Sequence, residues 1–200
     1  MGRRKPRRPT AYSSVSRTIV KNNIINKISP DEALAILKRL SKKDKALREK
    51  ILEAAEDLIR DANVDELCEA VFYALDGIDV HELWDRAGPN RDGYTSPEDM
   101  SFEMFEEALE PFLRDMQRLL SLKMYKEAKL HCMAILKGIY QYEEESKSEF
   151  KDWATDIPGE CFGSTLREWA KKRNAKDIKE MKNFIQKECQ DWSEWAIKQI

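Results

Sequence analysis

The chain has 200 residues, of which 42% are apolar and 36% are charged, and its formal net charge at pH 7 is −2. That length suffices for an ordinary domain with a hydrophobic core. Only seven glycines and seven prolines occur, too few for the many turns of an all-β fold. No apolar run reaches the roughly 18 residues that span a bilayer, and the basic start lacks the apolar segment of a secretory signal. We therefore expect no membrane partner.

Residues 1–12 form a basic arm. They contain five basic and no acidic residues, with prolines at positions 6 and 9, so we predict that the arm is disordered. Residues 13–200 are predicted to form a single α-helical domain. Within it, residues 13–28 have only a weak apolar pattern, which allows one short helix.

From Ser29 onward the pattern is helical. Ser29, Pro30 and Glu32 carry the signature of a capped helix start with a capping box. Asp44 is predicted to cap a second helix, and residues 64–75 and 80–86 are predicted to form a third and a short fourth. Residues 87–95 are predicted to be a loop.

The second half repeats these signals. Ser96 and Pro97 begin a long helix with the strongest apolar stripe in the chain, and another helix ends near Glu145. After an irregular stretch at 148–158 comes a helix carrying Trp169. A last helix is predicted to be capped by Asp177 and to continue through Trp195.

These elements predict an all-α fold with about seven to nine helices and no sheet. Short connections between successive amphipathic helices favour antiparallel packing of neighbouring helices. We therefore expect stacked helical hairpins in a right-handed superhelix of the tetratricopeptide or HEAT type. Residues 124–128, followed by Cys132 and Ile135, match the second helix of a tetratricopeptide unit. Its first helix matches only weakly.

Four short stretches carry a family resemblance. They are residues 74–76 with 80–86, residues 93–94, residues 106–112, and residues 148–150 with 152–154 and 158–160. Together they resemble the helical region that accompanies SWIM-type zinc fingers in prokaryotic proteins. The resemblance covers roughly residues 30–170 and implies a helical-repeat fold with, at most, a link to a nucleic-acid-associated module. The finger's C-x-C and C-x-H motifs are missing, so its zinc chemistry is not implied.

The cysteines favour a reducing, cytoplasmic location. Cys68, Cys132 and Cys189 fall on apolar faces of predicted helices, where a reduced cysteine behaves as a small hydrophobe. Together with Cys161 they form no C-x-x-C pair. A disulfide framework and a thiolate metal site are therefore both disfavoured, and we expect no cofactor.

Catalytic motifs are sparse. His81 shares a helix face with Asp85, and His131 with Glu127, yet neither lies in a Glu-x-x-His motif. No G-x-S-x-G elbow occurs. Residues 88–99 match part of a calcium loop, but the first ligand position is a glycine. We therefore predict a non-enzymatic protein without catalytic or metal-ligating residues.

Charge is unevenly distributed. Residues 92–115 hold eight acidic residues and one basic residue, whereas residues 171–187 hold seven basic and two acidic. The simpler interpretation of these charged segments is that they form solvated helix faces. The more specific interpretation is that they steer a partner electrostatically. The candidate nucleic-acid-binding residues are Arg3, Arg4, Lys5, Arg7, Arg8, Lys171, Lys172 and Arg173.

Among the five tryptophans, Trp169, Trp192 and Trp195 fall on helical stripes and are assigned to the core. Trp84 and Trp153 border the irregular stretches, where aromatic and arginine residues often form binding hot spots. Packing of these stretches onto the helices is the simpler role. The protein-binding candidates are Trp84, Arg86, Tyr94, Trp153 and Asp156.

The sequence thus favours a helical-repeat interaction module that binds another protein in a groove between stacked hairpins. The alternative is a nucleic-acid-associated accessory protein that uses the basic arm and the basic C-terminal segment. A third hypothesis, a small-molecule enzyme, requires a pocket that holds His81 or His131 beside carboxylates. Homodimer formation, including exchange of residues 13–28 between copies, stays open.

Overall fold

The computed structural model describes residues 27–60, 63–91, 93–171 and 173–200, without the side chains of residues 56 and 58–60. These residues form nine α-helices, one 3-10 helix and two very short strands. The fold is therefore all-α, as predicted. The superhelical arrangement stays a prediction, and the basic arm and the helix predicted within 13–28 lie almost wholly outside the described residues.

The chain divides into two compact units, Met1–Leu58 and Ile59–Ile200. The first contains α1 (Pro30–Lys43) and most of α2 (Lys45–Arg60). The predicted caps are confirmed: the Glu32 amide donates to the Ser29 hydroxyl while the Ser29 amide donates to the Glu32 carboxylate. The Asp44 carboxylate accepts from the amides of Ala46 and Leu47, which begins α2.

The second unit contains the remaining elements in chain order. They are α3 (Val64–Asp76), α4 (Val80–Arg86), β1 (Gly88–Asn90), β2 (Gly93–Thr95), α5 (Pro97–Ser121), α6 (Tyr125–Glu145), the 3-10 helix (Glu149–Trp153), α7 (Ile157–Ala170), α8 (Ala175–Glu188) and α9 (Ser193–Ile197). The predicted cap of α5 is confirmed, since the Asp99 amide donates to the Ser96 hydroxyl over 3.0 Å.

The α6 helix is the centre of the second unit. It packs most extensively against α3, then against α7 and α5. Gly138 permits the approach to α3, because a Cβ at this position would lie 2.6 Å from Cβ of Val71. The largest fully buried side chains include Trp169, Tyr142, Phe105, Phe150 and Phe162.

Two sequence predictions about local structure are wrong. Residues 88–95, predicted as loop, hold an antiparallel hairpin with Pro89 paired to Tyr94. Its strands begin at Gly88 and Gly93, whose φ angles of 108° and 141° suit glycine because other residues rarely adopt positive φ. The prediction of no sheet therefore fails for this small element.

The last predicted helix is two helices. The cap of α8 is Asn174, whose side chain accepts from the amide of Asp177, so Asp177 lies inside the first turn. The α8 helix ends at Glu188, and α9 begins at Ser193. Because of this break, Trp195 does not continue the buried face of α8.

The predicted positions of Cys68, Cys132 and Cys189 on apolar helix faces are confirmed, because all three are buried; Cys161 is buried too, and all four are free cysteines. Among the described helices, none combines the length and apolar character that a membrane span requires.

Candidate functional site

Two of the five protein-binding candidates contact each other. The rings of Trp84 on α4 and Trp153 in the 3-10 helix meet edge to face, and the Trp153 carbonyl accepts a hydrogen bond of 2.8 Å from Ser101 on α5. Trp153 is half-buried, whereas 49% of Trp84 is exposed. This pair holds the 3-10 helix against the α4–α5 corner.

Arg86 is engaged within the protein. Its guanidinium makes two hydrogen bonds of 2.7 Å to the Glu107 carboxylate on α5 and lies 3.6 Å from Glu82. The hydrogen bond from Arg86 lowers the pKa of Glu107. A guanidinium held by two hydrogen bonds to one carboxylate stabilises the packing of α4 on α5, which leaves Arg86 a poor anchor for a partner.

The other two candidates lie at different places. Tyr94 lies on the hairpin and is 69% exposed. Asp156 lies just before α7 and lines a groove bordered by α5, α7 and α9. The structure therefore does not bring the five candidates together into one site.

The groove beside Asp156, with a volume of about 660 Å³, is the strongest candidate site, and we call it the acidic groove. It is lined by Phe102, Glu106, Asp156, Gly159, Glu160, Cys161, Ser164, Arg167, Trp195 and Gln199. Three of them are exposed carboxylates, from α5 and from the start of α7.

A smaller recess of about 280 Å³ adjoins the acidic groove and shares Asp156, Gly159 and Trp195 with it. It adds the carboxylates of Glu143 and Asp191. The Glu143 carboxylate lies 3.7 Å from Lys151, and Asp191 accepts a hydrogen bond of 3.2 Å from the Tyr140 hydroxyl. Asp191 therefore extends the negative charge of the groove into the recess, whereas Lys151 balances the charge of Glu143.

Trp195 joins the groove to the recess and is 41% exposed, so its assignment to the core is wrong. Its ring packs on Phe162 and Trp192 and beside Gly163, where a Cβ would lie 3.1 Å from the ring. These contacts restrain the indole ring. The break between α8 and α9 near Cys189 takes Trp195 off the apolar stripe of α8, and no local pattern in the sequence marks which side of its ring meets solvent.

Two further side chains affect the charge and the reactivity of the acidic groove. Among its described lining residues, Arg167 is the one basic side chain, and it donates a hydrogen bond of 2.8 Å to the Gln199 side chain. Burial, reinforced by the negative charges of Glu106 and Glu160, raises the pKa of the Cys161 thiol to about 12. That thiol stays protonated at neutral pH, and a protonated thiol is a poor nucleophile.

Two of the basic C-terminal candidates, Lys171 and Arg173, already contact other side chains of the protein. Lys171 pairs with Glu168, and the Arg173 guanidinium lies 4.5 Å from the centre of the Tyr125 ring. Lys172 and the five basic residues of the arm lie outside the described residues.

The surroundings of the two histidines do not resemble a catalytic site. His81 is exposed, and Nδ1 of the half-buried His131 lies 3.2 Å from the carbonyl oxygen of Glu127. Within the described part of the chain, no three histidine, cysteine or carboxylate side chains are grouped so as to hold a metal ion.

A comparison with protein-family models gives no match, and comparisons with curated proteins and with solved structures give no significant match either. The resemblance to SWIM-associated helical regions accordingly stays a prediction.

Proposed function

We propose that this protein is a non-enzymatic interaction module whose acidic groove binds a basic segment of another protein. The observation that carries the proposal is the placement of an exposed tryptophan, Trp195, between the carboxylates of the groove and those of the recess.

The negative charge of the groove favours a positively charged ligand. Among the described residues that line the groove, Arg167 is the one basic side chain beside Glu106, Asp156 and Glu160, and its guanidinium already donates to Gln199. An arginine or lysine from a partner would pair with these carboxylates through charge-assisted hydrogen bonds. An acidic or phosphorylated partner would be repelled.

Trp195 adds a second reason to expect a cation. A guanidinium or ammonium group over an indole face gains about 0.5–1 kcal/mol at an exposed site. Because Phe162 and Trp192 support the ring, little conformational freedom is lost when a ligand packs on it. Stacking and ion pairing together favour arginine over lysine.

The second candidate function, contact with nucleic acid, draws on α8. Lys176, Lys179 and Lys187 are exposed, and their spacing places them on one face of that helix. Lys176 and Lys187 each have a neighbouring glutamate, however, at 3.9 Å and 2.7 Å. This compensation is why we rank the acidic groove first.

Fluorescence polarisation with a labelled peptide of alternating arginine and glycine tests the proposal. We expect binding that weakens with added salt, and no comparable binding of the same peptide with neutral citrulline in place of arginine. Equal affinity for the two peptides would contradict a cation-selective groove.

Matched variants locate the binding site. Trp195→Ala should weaken the arginine peptide about fivefold and Glu160→Gln about threefold. Trp84→Ala and Glu49→Gln, which remove an exposed tryptophan and an exposed carboxylate outside the groove, should leave the affinity unchanged. Salt-dependent retention on DNA or RNA that is lost when residues 1–9 are deleted would favour the nucleic-acid function instead.

A further inference from the structure

The charges of the acidic groove are separated along one face of α7. Asp156 and Glu160 lie at the start of this helix, and Arg167 lies in its last turn. Glu160 and Arg167 both line the groove and are seven residues apart, so they share a helix face but are separated by about 10 Å along the axis. The groove therefore has an acidic end and a basic end.

Arg167 has an unused hydrogen-bonding edge. Its Nη1 donates to the Gln199 side chain over 2.8 Å. Within the part of the chain that the structure describes, Nε and Nη2 make no hydrogen bond and the guanidinium forms no ion pair, although the side chain is exposed. Because a guanidinium carries five N–H donors in a planar fork, the edge formed by Nε and Nη2 is available to a carboxylate.

The carboxylates at the other end are available as well. Asp156 occupies the N-cap position of α7, yet its side chain makes no capping hydrogen bond. Among the described residues, no hydrogen bond or ion pair involves the carboxylates of Asp156, Glu106 or Glu160, and all three residues are exposed. The two ends of the groove therefore offer opposite charges to a ligand and do not neutralise each other.

Trp195 lies between the two ends. A Cβ at Gly163 would lie 3.0 Å from Nη1 of Arg167 and 3.1 Å from the Trp195 ring, so the indole is a neighbour of the guanidinium. Gly163 is about one helical turn from Glu160 and one from Arg167. A ligand that reaches from the basic end to the acidic end therefore passes beside the Trp195 ring.

We propose that the acidic groove binds the C-terminal end of a partner protein whose last residue is arginine, an inference that rests on the proposed function. Arg167 holds the α-carboxylate through two parallel hydrogen bonds. The side chain of the terminal arginine packs on Trp195, and its guanidinium pairs with Asp156 and Glu160. An arginine within a chain has no α-carboxylate for Arg167 to hold, so the terminal residue binds better.

The size of the groove favours a peptide over free arginine. Its volume of about 660 Å³ lies within the range of sites that enclose ligands much larger than one amino acid. Glu106 on α5 adds a third carboxylate, which can pair with a basic residue that precedes the terminal arginine. We therefore expect the residues before the terminus to contribute to the affinity.

Fluorescence polarisation with two peptides tests this inference. Both peptides have alternating glycine and arginine, carry the label at the N-terminus and end in arginine. One has a free α-carboxylate and the other has a carboxamide. The wild-type protein should bind the carboxylate peptide about fivefold more tightly, which is the gain expected of an exposed ion pair with good geometry. Equal affinities for the two peptides would overturn the inference.

A variant of Arg167 locates the carboxylate. Arg167→Gln should bind the carboxylate peptide about fivefold more weakly than the wild type and should bind the carboxamide peptide no more weakly, so that the preference disappears. Arg114→Gln is the matched control, because Arg114 is an exposed arginine on α5 that does not line the groove. It should keep the full preference. A preference that survives in Arg167→Gln would contradict the assignment.

Two further measurements separate this inference from the proposed function. If the two termini bind alike while the carboxamide peptide still binds better than its citrulline counterpart, the proposed function stands and this inference fails. Failure of both arginine peptides to bind would overturn the two together. Free arginine that competes as well as the unlabelled carboxylate peptide would overturn the choice of a protein C-terminus as the ligand.

Discussion

Trp84 and Trp153 meet edge to face, with their ring centroids 4.7 Å apart and their planes at 82°. This contact joins α4 to the 3-10 helix, which are separated in the sequence by α5 and α6. An edge-to-face pair at this distance contributes about 0.5–1.5 kcal/mol beyond the area that it buries. We infer that its main role is structural.

Removal of Trp84 should therefore lower the stability of the protein. We expect Trp84→Ala to reduce the free energy of unfolding by about 1–2 kcal/mol, measured by urea denaturation. A double-mutant cycle with Trp153→Ala isolates the ring contact, whose coupling energy should be near 1 kcal/mol. Tyr94→Ala, at a more exposed aromatic residue, should have little effect.

Arg86 should be sensitive to a conservative change. Arg86→Lys keeps the charge but loses the two parallel hydrogen bonds to Glu107, since an ammonium group cannot reproduce the guanidinium fork. We expect a loss of about 0.5–1 kcal/mol in the free energy of unfolding, because this ion pair is partly exposed. Arg114→Lys, in a pair whose two side chains are more than 60% exposed, should be neutral in the same denaturation assay.

Gly138 should not tolerate a side chain. In Gly138→Ala the new Cβ would lie 2.6 Å from Cβ of Val71 and 2.9 Å from the carbonyl oxygen of Cys68, so α3 and α6 must move apart. We expect a loss of about 2–3 kcal/mol, visible as a lower melting temperature in circular dichroism. Gly159→Ala is the control, because a Cβ there meets nothing within 4 Å, and its melting temperature should not fall.

The ion pair between Lys129 and Asp177 should make stability depend on pH. The 2.8 Å hydrogen bond from Lys129 lowers the pKa of Asp177. Desolvation lowers the pKa of Lys129, but its hydrogen bonds to Asp177 and Glu180 outweigh this effect and raise it overall. Both charged forms are therefore stabilised by folding.

Because the pKa of Asp177 is lower in the folded protein, its contribution to stability is complete above its ordinary pKa of about 3.9 and is lost as the pH falls through the lowered value. Asp177→Asn should lower the free energy of unfolding by about 1–2 kcal/mol at pH 7. The difference in unfolding free energy between the variant and the wild type should become smaller in stronger acid. Urea denaturation across this pH range provides the measurement. A difference that is constant with pH would contradict the assignment.

Much of the helical structure follows from local signals. Ser29, Asp44 and Ser96 begin α1, α2 and α5 as predicted, because capping is an interaction between neighbours in the sequence. The same logic gave the wrong cap for α8, since Asn174 and Asp177 each suit an N-terminal turn. The hairpin at 88–95 escaped prediction because its strands are too short to show an alternating pattern.

The candidate site was less predictable. Asp156 lies in the acidic groove, but Trp84 and Arg86 pair with residues inside the protein, and Trp195 was assigned to the core. Which side of a tryptophan meets solvent depends on how α9 packs against α7, and no local pattern encodes that packing.

The sequence by itself determined that this chain is helical, where most helices begin, and that Cys68, Cys132 and Cys189 lie on buried helix faces. These properties depend on periodicity and on neighbours a few residues apart. Tertiary packing alone decided that carboxylates from α5 and α7 converge beside Trp195, and that Gly138 lets α3 approach α6. The physical reason is that such contacts join residues distant in the chain, and the geometry of the packed helices fixes their distances.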